Sequence, residues 1–409
     1  MDNRPADSPA PALDVQACRA QFPALGHGVV YFDGPGGSQV PTAVARAVAD
    51  TLTAGISNRG TITVAERRAD AVVGDARRAV ADLCGGSPDG VVFGRSMTQL
   101  TYDVARTLSA GWAAGDEVVV TRLDHDANIR PWAHYAERAG ATVRWADFDR
   151  GSAELPVEAV TDLVSERTRL VAVTAASNLL GTRPDVPAIT AAAHDVGALV
   201  HVDAVHLAPH AGVDAAALGA DLLACSPYKF FGPHLGVLTA SPALLETLYP
   251  DKLLPSTDAV PERFELGTLP YELLAGTTAA VDFIAGLVPG DGGRRGRLLA
   301  SMAAVAAHEA ELFTSLLGGL ERIDAVTVYG RPARHTPTAL FAVSGRSPRQ
   351  VHQALAARGV NAPGGSFYAL EAARWIGLGD AGGVRVGLAP YSTAGDVDRL
   401  LDGLVELCR

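Results

Sequence analysis

From residue 41 onward the chain alternates two kinds of apolar pattern. PTAVARAVADTL (41–52) and VAERRADAVVGDARRAVADLC (64–84) repeat apolar residues at about helical spacing and predict amphipathic helices. Between and after them come short runs of β-branched and aliphatic residues: GVVFG, EVVVTR, TVRWADF, RLVAVTAAS, ALVHVDA, ADLLACS and GVLTA. These runs predict strands. They are continuous rather than alternating, as expected of strands covered on both faces of a mostly parallel sheet. Upstream, VQACRAQFPAL predicts a short helix before the Gly/Pro turn of YFDGPGGSQVP. Glycine and proline cluster again in GLVPGDGG (286–293). Beyond that break a long helical pattern, RRGRLLASMAAVAAHEAELFTSLLGGL, leads into the strand-like runs VTVYG, TALFAVSG and VRVGL. The expected architecture is therefore α/β. It has an N-terminal arm (1–22) with a partly disordered lead, a large domain (23–288) on a doubly wound, mostly parallel sheet, and a smaller α+β C-terminal domain (289–409).

Composition narrows the class. With 409 residues, 48% hydrophobic and 19% charged, the chain can bury a large core and is not a disordered sequence. A formal charge of −11 gives no basic footprint for nucleic acid or an anionic membrane. No apolar run reaches the roughly 18 residues that span a bilayer, and MDNRPADSPAPALD lacks a signal-peptide core, so a cytoplasmic location is expected. The four cysteines, Cys18, Cys84, Cys225 and Cys408, are far apart with no CxxC pair. They read as reduced structural thiols, with no metal site.

The chemistry concentrates at the ends of the strand-like runs, where ligands of doubly wound sheets sit. Asp203 ends GALVHVD, and Lys229 follows ADLLACSPY 26 residues later. Pyridoxal phosphate chemistry requires that pair: an amine to form a Schiff base with the cofactor aldehyde, and a carboxylate for the pyridinium nitrogen. A lysine on a loop is ordinarily just solvated, but the SPYKFFGP context argues against that here. In GVVFGRSMTQL, a strand runs through a small-residue turn into a helix. Its N–H groups at Ser96, Met97 and Thr98 can face a phosphate; the other reading is simple N-capping by Ser96 or Thr98. His125 follows EVVVTRLD, placed either to stack on a cofactor ring and take part in proton transfer or to sit half-exposed in a loop. Asn178 and His206 can reach a phenolic oxygen, and Asn178 alternatively a substrate carboxylate; as a bland alternative Asn178 forms a turn. Ser226 and Tyr228 offer hydroxyls to the phosphate.

FDGPGGSQVP, GDEVVVTRLDHDANIRPW, SNLLGT, HVDAVH, SPYKFFGP, ELGT and RVGLAPYST together resemble the class V aminotransferase group of fold-type I pyridoxal phosphate enzymes. That group includes cysteine desulfurases, selenocysteine lyases and isopenicillin N epimerase-like proteins, and the resemblance covers the chain after about residue 20. It implies pyridoxal 5'-phosphate as cofactor, with Lys229 as the Schiff-base lysine, Asp203 as the pyridinium partner and His125 as the stacking histidine. It further implies Asn178 and His206 at the phenolic oxygen and Thr98, Ser226 and Tyr228 at the phosphate. Thr268 of ELGT would reach the neighbouring subunit's phosphate, which implies a homodimer with composite sites. Arg385 of RVGL would pair the α-carboxylate of an amino-acid substrate, a task suited to a planar guanidinium.

The resemblance breaks at one loop. Desulfurases carry a cysteine in an R-x-G-x-x-C segment upstream of the carboxylate arginine; here, in GVNAPGGSFYALEAARWIGL, Tyr368 stands at the cysteine position and Pro363 at the arginine position. Persulfide formation needs a mobile thiolate, so desulfuration by that route is not expected. A thiolate leaving from an S-substituted cysteine needs no protein thiol. The leading expectation is therefore β-elimination by a C–S lyase, with Lys229 as the Cα base and Tyr368 as a hydrogen-bond donor or space-filler. The alternative is decarboxylation-coupled oxidative deamination, transamination or epimerisation of an S-cysteinyl or other amino acid in bacterial secondary metabolism. A non-catalytic binding protein of the same fold is the remote alternative, since such a protein has no need of Lys229, Asp203 and Arg385 together.

Overall fold

A computed structural model describes residues 12–409; the first part of the expected N-terminal lead lies outside the described residues. Seven strands form the main sheet: β1 (Val91–Gly94), β2 (Glu117–Thr121), β3 (Thr142–Ala146), β4 (Thr168–Thr174), β5 (Leu199–Asp203), β6 (Leu222–Cys225) and β7 (Gly236–Ala240). Their spatial order is β1-β7-β6-β5-β4-β2-β3. The pairs among β2 to β6 are parallel, and only β7 runs against its neighbours β1 and β6. Each strand coincides with one of the apolar runs read from the sequence. Except for the edge strand β3, they are almost wholly buried, which is why the runs lack polar alternation.

The helices follow the sequence signals as closely. Val64–Cys84 starts with a Thr63–Glu66 capping box and stops at Gly85, which takes a left-handed φ of 70°. Beyond residue 290 the helix Arg294–Glu321 leads to a four-stranded sheet in the order Gly364–Gly365, Gly383–Gly387, Thr338–Val343, Val326–Tyr329. An apolar cluster with Phe313, Leu316, Phe341, Val351, Leu355 and Val386 fills its core. The N-terminal strand Val30–Tyr31 pairs in parallel with Val360–Asn361, so the turn that follows it is delivered to the junction between the two sheets. No helix among the described residues is long and apolar enough to cross a membrane.

The topology fixes the site. The C-terminal ends of β1, β2, β4, β5 and β6 and the N-terminal end of antiparallel β7 share one edge of the sheet, as the Gly94–Gly236 and Thr174–Asp203 pairings require. Side chains just past those ends converge there.

Candidate active site at the C-terminal edge of the main sheet

A cavity of about 500 Å³, counted with its open mouth, lies at this edge. Ser96, Met97, Thr98, His125, Asn178, Asp203, His206, Ser226, Tyr228 and Lys229 all line it. Ten residues named from five separate segments of the sequence thus come together. Thr174, Ala176 and Val205 complete the lining without having been named.

Asp203 is the last residue of β5, buried, with Oδ1 accepting the Val205 N–H at 2.9 Å. Burial pushes its pKa up to about 6, against the pull of that N–H and of Lys229. Lys229 sits in a short 3₁₀ turn after β6 and is 7% exposed. Burial brings its amine down to about 7; Arg385 adds to the fall and Asp203 opposes it. Its Nζ donates to the Pro35 carbonyl. Pro35 belongs to the GPGG turn, which packs closely: a Cβ at Gly37 would meet the Tyr228 ring at 3.2 Å. Tyr228 itself stacks on His234, ring centroids 4.8 Å apart.

The turn after β1 satisfies both of its readings. Ser96 Oγ caps the helix Met97–Ser109 by accepting the Gln99 N–H at 3.1 Å, and Ser96, Met97 and Thr98 still line the cavity. Gly236 allows this arrangement, because a Cβ there would lie 2.1 Å from the Ser96 carbonyl carbon. His125 accepts the Ala127 N–H on Nδ1 at 3.0 Å, which leaves any ring proton on Nε2. Burial, then Lys229 and Arg385, brings its pKa down to about 3, so the ring is neutral. Burial and the cations around it hold His206 well below the usual histidine range as well; its Nε2 meets Thr338 Oγ1 at 2.9 Å and its Nδ1 is buried without a partner.

Arg385 lies beside the cavity, fully buried. Its Nη1 donates to the Asn178 main-chain carbonyl at 2.9 Å and its Nε has no partner. Burial lowers its pKa to about 9, and the negative charge of Asp33 limits the fall. Asn178 donates through Nδ2 to the Phe367 carbonyl at 2.9 Å, which leaves its buried Oδ1 as an acceptor. A phenolic oxygen can thus take the second Nδ2 hydrogen of Asn178, or the His206 Nδ1 hydrogen when Nε2 accepts from Thr338. Tyr368 is 76% exposed at the rim, its ring 5.6 Å from that of His125. Thr268 is exposed and lines a different hollow with Arg95 and His234, outside the Lys229 cavity of its own chain. The loop of residues 57–61 lies outside the cavity lining, with Arg59 tied to Asp70 and Glu262.

One buried group escaped the sequence reading. Asp124 accepts from Asn128 Nδ2 at 2.7 Å and pairs with Thr121 Oγ1; burial, augmented by Asp203, pushes its pKa up to about 8. The Trp132 indole N–H donates to Asn128 Oδ1 at 3.1 Å, which fixes the amide so that Nδ2 faces Asp124. A lone Asp one residue before His125 carries no sequence signal of burial.

The aminotransferase class-V profile matches residues 30–400. The chain belongs to the aminotransferase class-V family. A Mycobacterium tuberculosis relative, uncharacterized protein MT3887, is 38% identical over 400 residues, covering 97% of this chain and all of that one. Probable cysteine desulfurase 2 of Mycobacterium leprae is 32% identical, with 96% of each chain covered. Among solved structures, the Escherichia coli cysteine desulfurase CsdA in its S-sulfonic acid form superposes with a TM-score of 0.85 at 26% identity, over 97% of this chain and 98% of that one.

This class-V enzyme depends on pyridoxal phosphate, and the cavity fits the group. A buried amine of lowered pKa, a carboxylate at a strand end, an unpartnered His206 Nδ1 and a helix start lined by small hydroxyls are the groups that would meet its aldehyde, pyridinium, phenolic and phosphate groups.

Proposed function

We propose that this enzyme removes the β-substituent of an S-substituted cysteine, releasing a free thiol with pyruvate and ammonia. The placement of the four cysteines is the observation that supports the reading. None of the cavity's lining residues is a cysteine; Cys18, Cys84 and Cys225 are buried, and Cys408 ends the C-terminal helix. Tyr368 stands at the rim instead, over His125. The relatives named cysteine desulfurases make desulfuration the competing reading.

Pyridoxal phosphate, when bound, supplies the aldehyde that takes up the amino group and the ring that accepts electrons from Cα. The chain's own groups do the rest. Arg385 offers its free N–H groups to the substrate carboxylate, and its buried positive charge makes an anion welcome there. Asp203 stays ionised at neutral pH and holds the positive charge of the ring nitrogen. The Lys229 amine, with a pKa of about 7, is half neutral at pH 7 and takes the Cα proton. The Cβ–S electron pair leaves with the sulfur, which departs as a thiol, and one water completes the conversion of the remaining three-carbon unit to pyruvate and ammonia. Neutral His125 covers the site and can relay a proton from Nε2. Tyr368, at the rim, can donate to a departing sulfur.

The test is product analysis with S-methylcysteine, S-benzylcysteine, cysteine and alanine. Equimolar thiol and pyruvate from the S-substituted substrates support the reading. Carbon dioxide, an aldehyde or a racemised substrate without thiol contradicts it. Replacing Tyr368 by Phe is expected to slow thiol release or alter the product ratio without disturbing cofactor binding.

A further inference from the structure

The loop carrying Phe367 and Tyr368 is strained. Both residues hold left-handed backbone, with φ of 55° and 58°, though neither is glycine. Left-handed backbone is costly for a residue with a Cβ, and two in succession persist only where the surroundings impose them. Three contacts do so directly, two from loops of the main sheet and one from the small sheet. The Phe367 carbonyl accepts from Asn178 Nδ2 at 2.9 Å, the Tyr368 carbonyl accepts the Asp126 N–H at 2.7 Å, and the Arg385 guanidinium lies 3.8 Å from the Phe367 ring centroid.

Behind the loop, one carboxylate ties it to the segment that carries His125. Glu371, three residues after Tyr368, accepts from Arg122 Nη1 at 3.0 Å through Oε2 and from Arg130 Nη2 through Oε1. Arg122 and Arg130 flank His125 in sequence, and Arg130 Nε also pairs with Asp126 at 2.8 Å, the residue whose N–H holds Tyr368. Trp145 and Trp375 lie 4.9 and 5.3 Å from the Arg122 guanidinium, and Asp147 binds its Nε at 2.7 Å. The Glu371 side chain is only 14% exposed. An exposed ion pair contributes little, but a largely buried carboxylate bridging two arginines strongly favours one geometry.

We propose that Glu371 is a positioning residue: by bridging Arg122 and Arg130 it clamps the strained Phe367–Tyr368 loop onto His125 and Arg385 and thereby sets substrate affinity. The loop is thus a fixed wall of the substrate site rather than a swinging arm. This rests on the reading that Arg385 and His125 face the substrate, so the test includes one measurement independent of any reaction.

The measurement uses the cofactor-loaded wild type with Glu371→Gln, Glu371→Ala and Glu371→Asp; the Gln variant keeps the volume should the Ala variant fold poorly. Hydrogen exchange at the Asp126 amide, the donor to Tyr368, is expected to quicken about tenfold or more in Gln and Ala, with the cofactor absorption unchanged. The dissociation constant for an amino acid, read from the spectral shift on binding, is expected to rise about tenfold, with a smaller change in the rate of Cα–deuterium exchange in heavy water. Asp keeps the charge but is one methylene short of spanning both arginines, so it falls between. Arg78→Ala, which removes an exposed pair with Asp75 on the helix Val64–Cys84, serves as the control and changes neither quantity. Unchanged exchange at Asp126 in both Gln and Ala overturns the brace. Quickened exchange with unchanged amino-acid affinity overturns its role in binding. Neither readout requires thiol release, so a failure of the proposed elimination is distinguished from a failure of the brace.

Discussion

The guanidinium carbon of Arg385 lies 3.8 Å from the centre of the Phe367 ring, while Nη1 of the same group is spent on the Asn178 carbonyl. The aromatic ring and the carbonyl fix the guanidinium plane and leave Nε and Nη2 for a ligand. Arg385→Lys keeps a positive charge but loses the fork. It is expected to cut kcat/KM about 10- to 100-fold, mostly through KM, with an unchanged cofactor spectrum. Unaltered kinetics would remove Arg385 from the substrate site.

Lys229 sets a pH window. Its amine reacts with an aldehyde only when neutral, and burial lowers its pKa from 10.5 to about 7. Reconstitution of cofactor-stripped protein is therefore expected to speed up as pH rises through about 7 and to level off above it, read by stopped-flow absorption. A midpoint in the ordinary lysine range would contradict the burial argument. The sign for stability follows: the folded state binds fewer protons here than the unfolded chain between about 7 and 10.5, so this group makes cofactor-free protein more stable as pH rises across that interval. Lys229→Ala is expected to abolish covalent attachment.

The two carboxylates near the ring site are driven apart. Asp124, pushed up to about 8, carries a proton at pH 7; Asp203, at about 6, does not. Asp124→Asn keeps the same donor and acceptor toward Thr121 and Asn128, and little loss of turnover is expected at pH 7. Asp203→Asn removes the charge itself, and a fall of about 10²–10³-fold in turnover is expected with Lys229 still attached to the cofactor. Equal losses in the two variants would contradict the assignment.

The segment around Thr268 leaves Tyr249, Leu253, Leu254 and Leu266 exposed, Leu254 by 97%. Apolar side chains so grouped along one stretch are suited to burial against a second copy of the chain. Sedimentation is expected to give twice the 42.3 kDa chain mass, and Thr268→Ala to weaken cofactor binding. A monomer that holds the cofactor tightly would exclude composite sites.

Most of the fold was legible because buried parallel strands write themselves as unbroken β-branched runs: EVVVT, RLVAVT and LVHVD needed no tertiary information. Asp203, Lys229, His125 and the Ser96 turn were legible for the same reason, since each follows such a run. What stayed hidden depends on contacts far apart in sequence. Nothing local announces that Pro35, 194 residues away, meets the Lys229 amine, or that Asn178 spends its amide on Phe367. Glu371 looks like an ordinary exposed residue of a short helix until Arg122 and Arg130 are brought beside it. Local periodicity records burial; it does not record which polar groups burial will pair.

Turnover of cysteine itself separates elimination without a protein thiol from desulfuration. A desulfurase leaves alanine and a persulfide on its own cysteine, whereas elimination leaves pyruvate, ammonia and free sulfide. Single-turnover product analysis with intact-protein mass spectrometry distinguishes the two. Any cysteine turned over is expected to appear as pyruvate, with the protein mass unchanged before reductant is added. Alanine in stoichiometric yield with a sulfur atom added to the protein would rule out elimination.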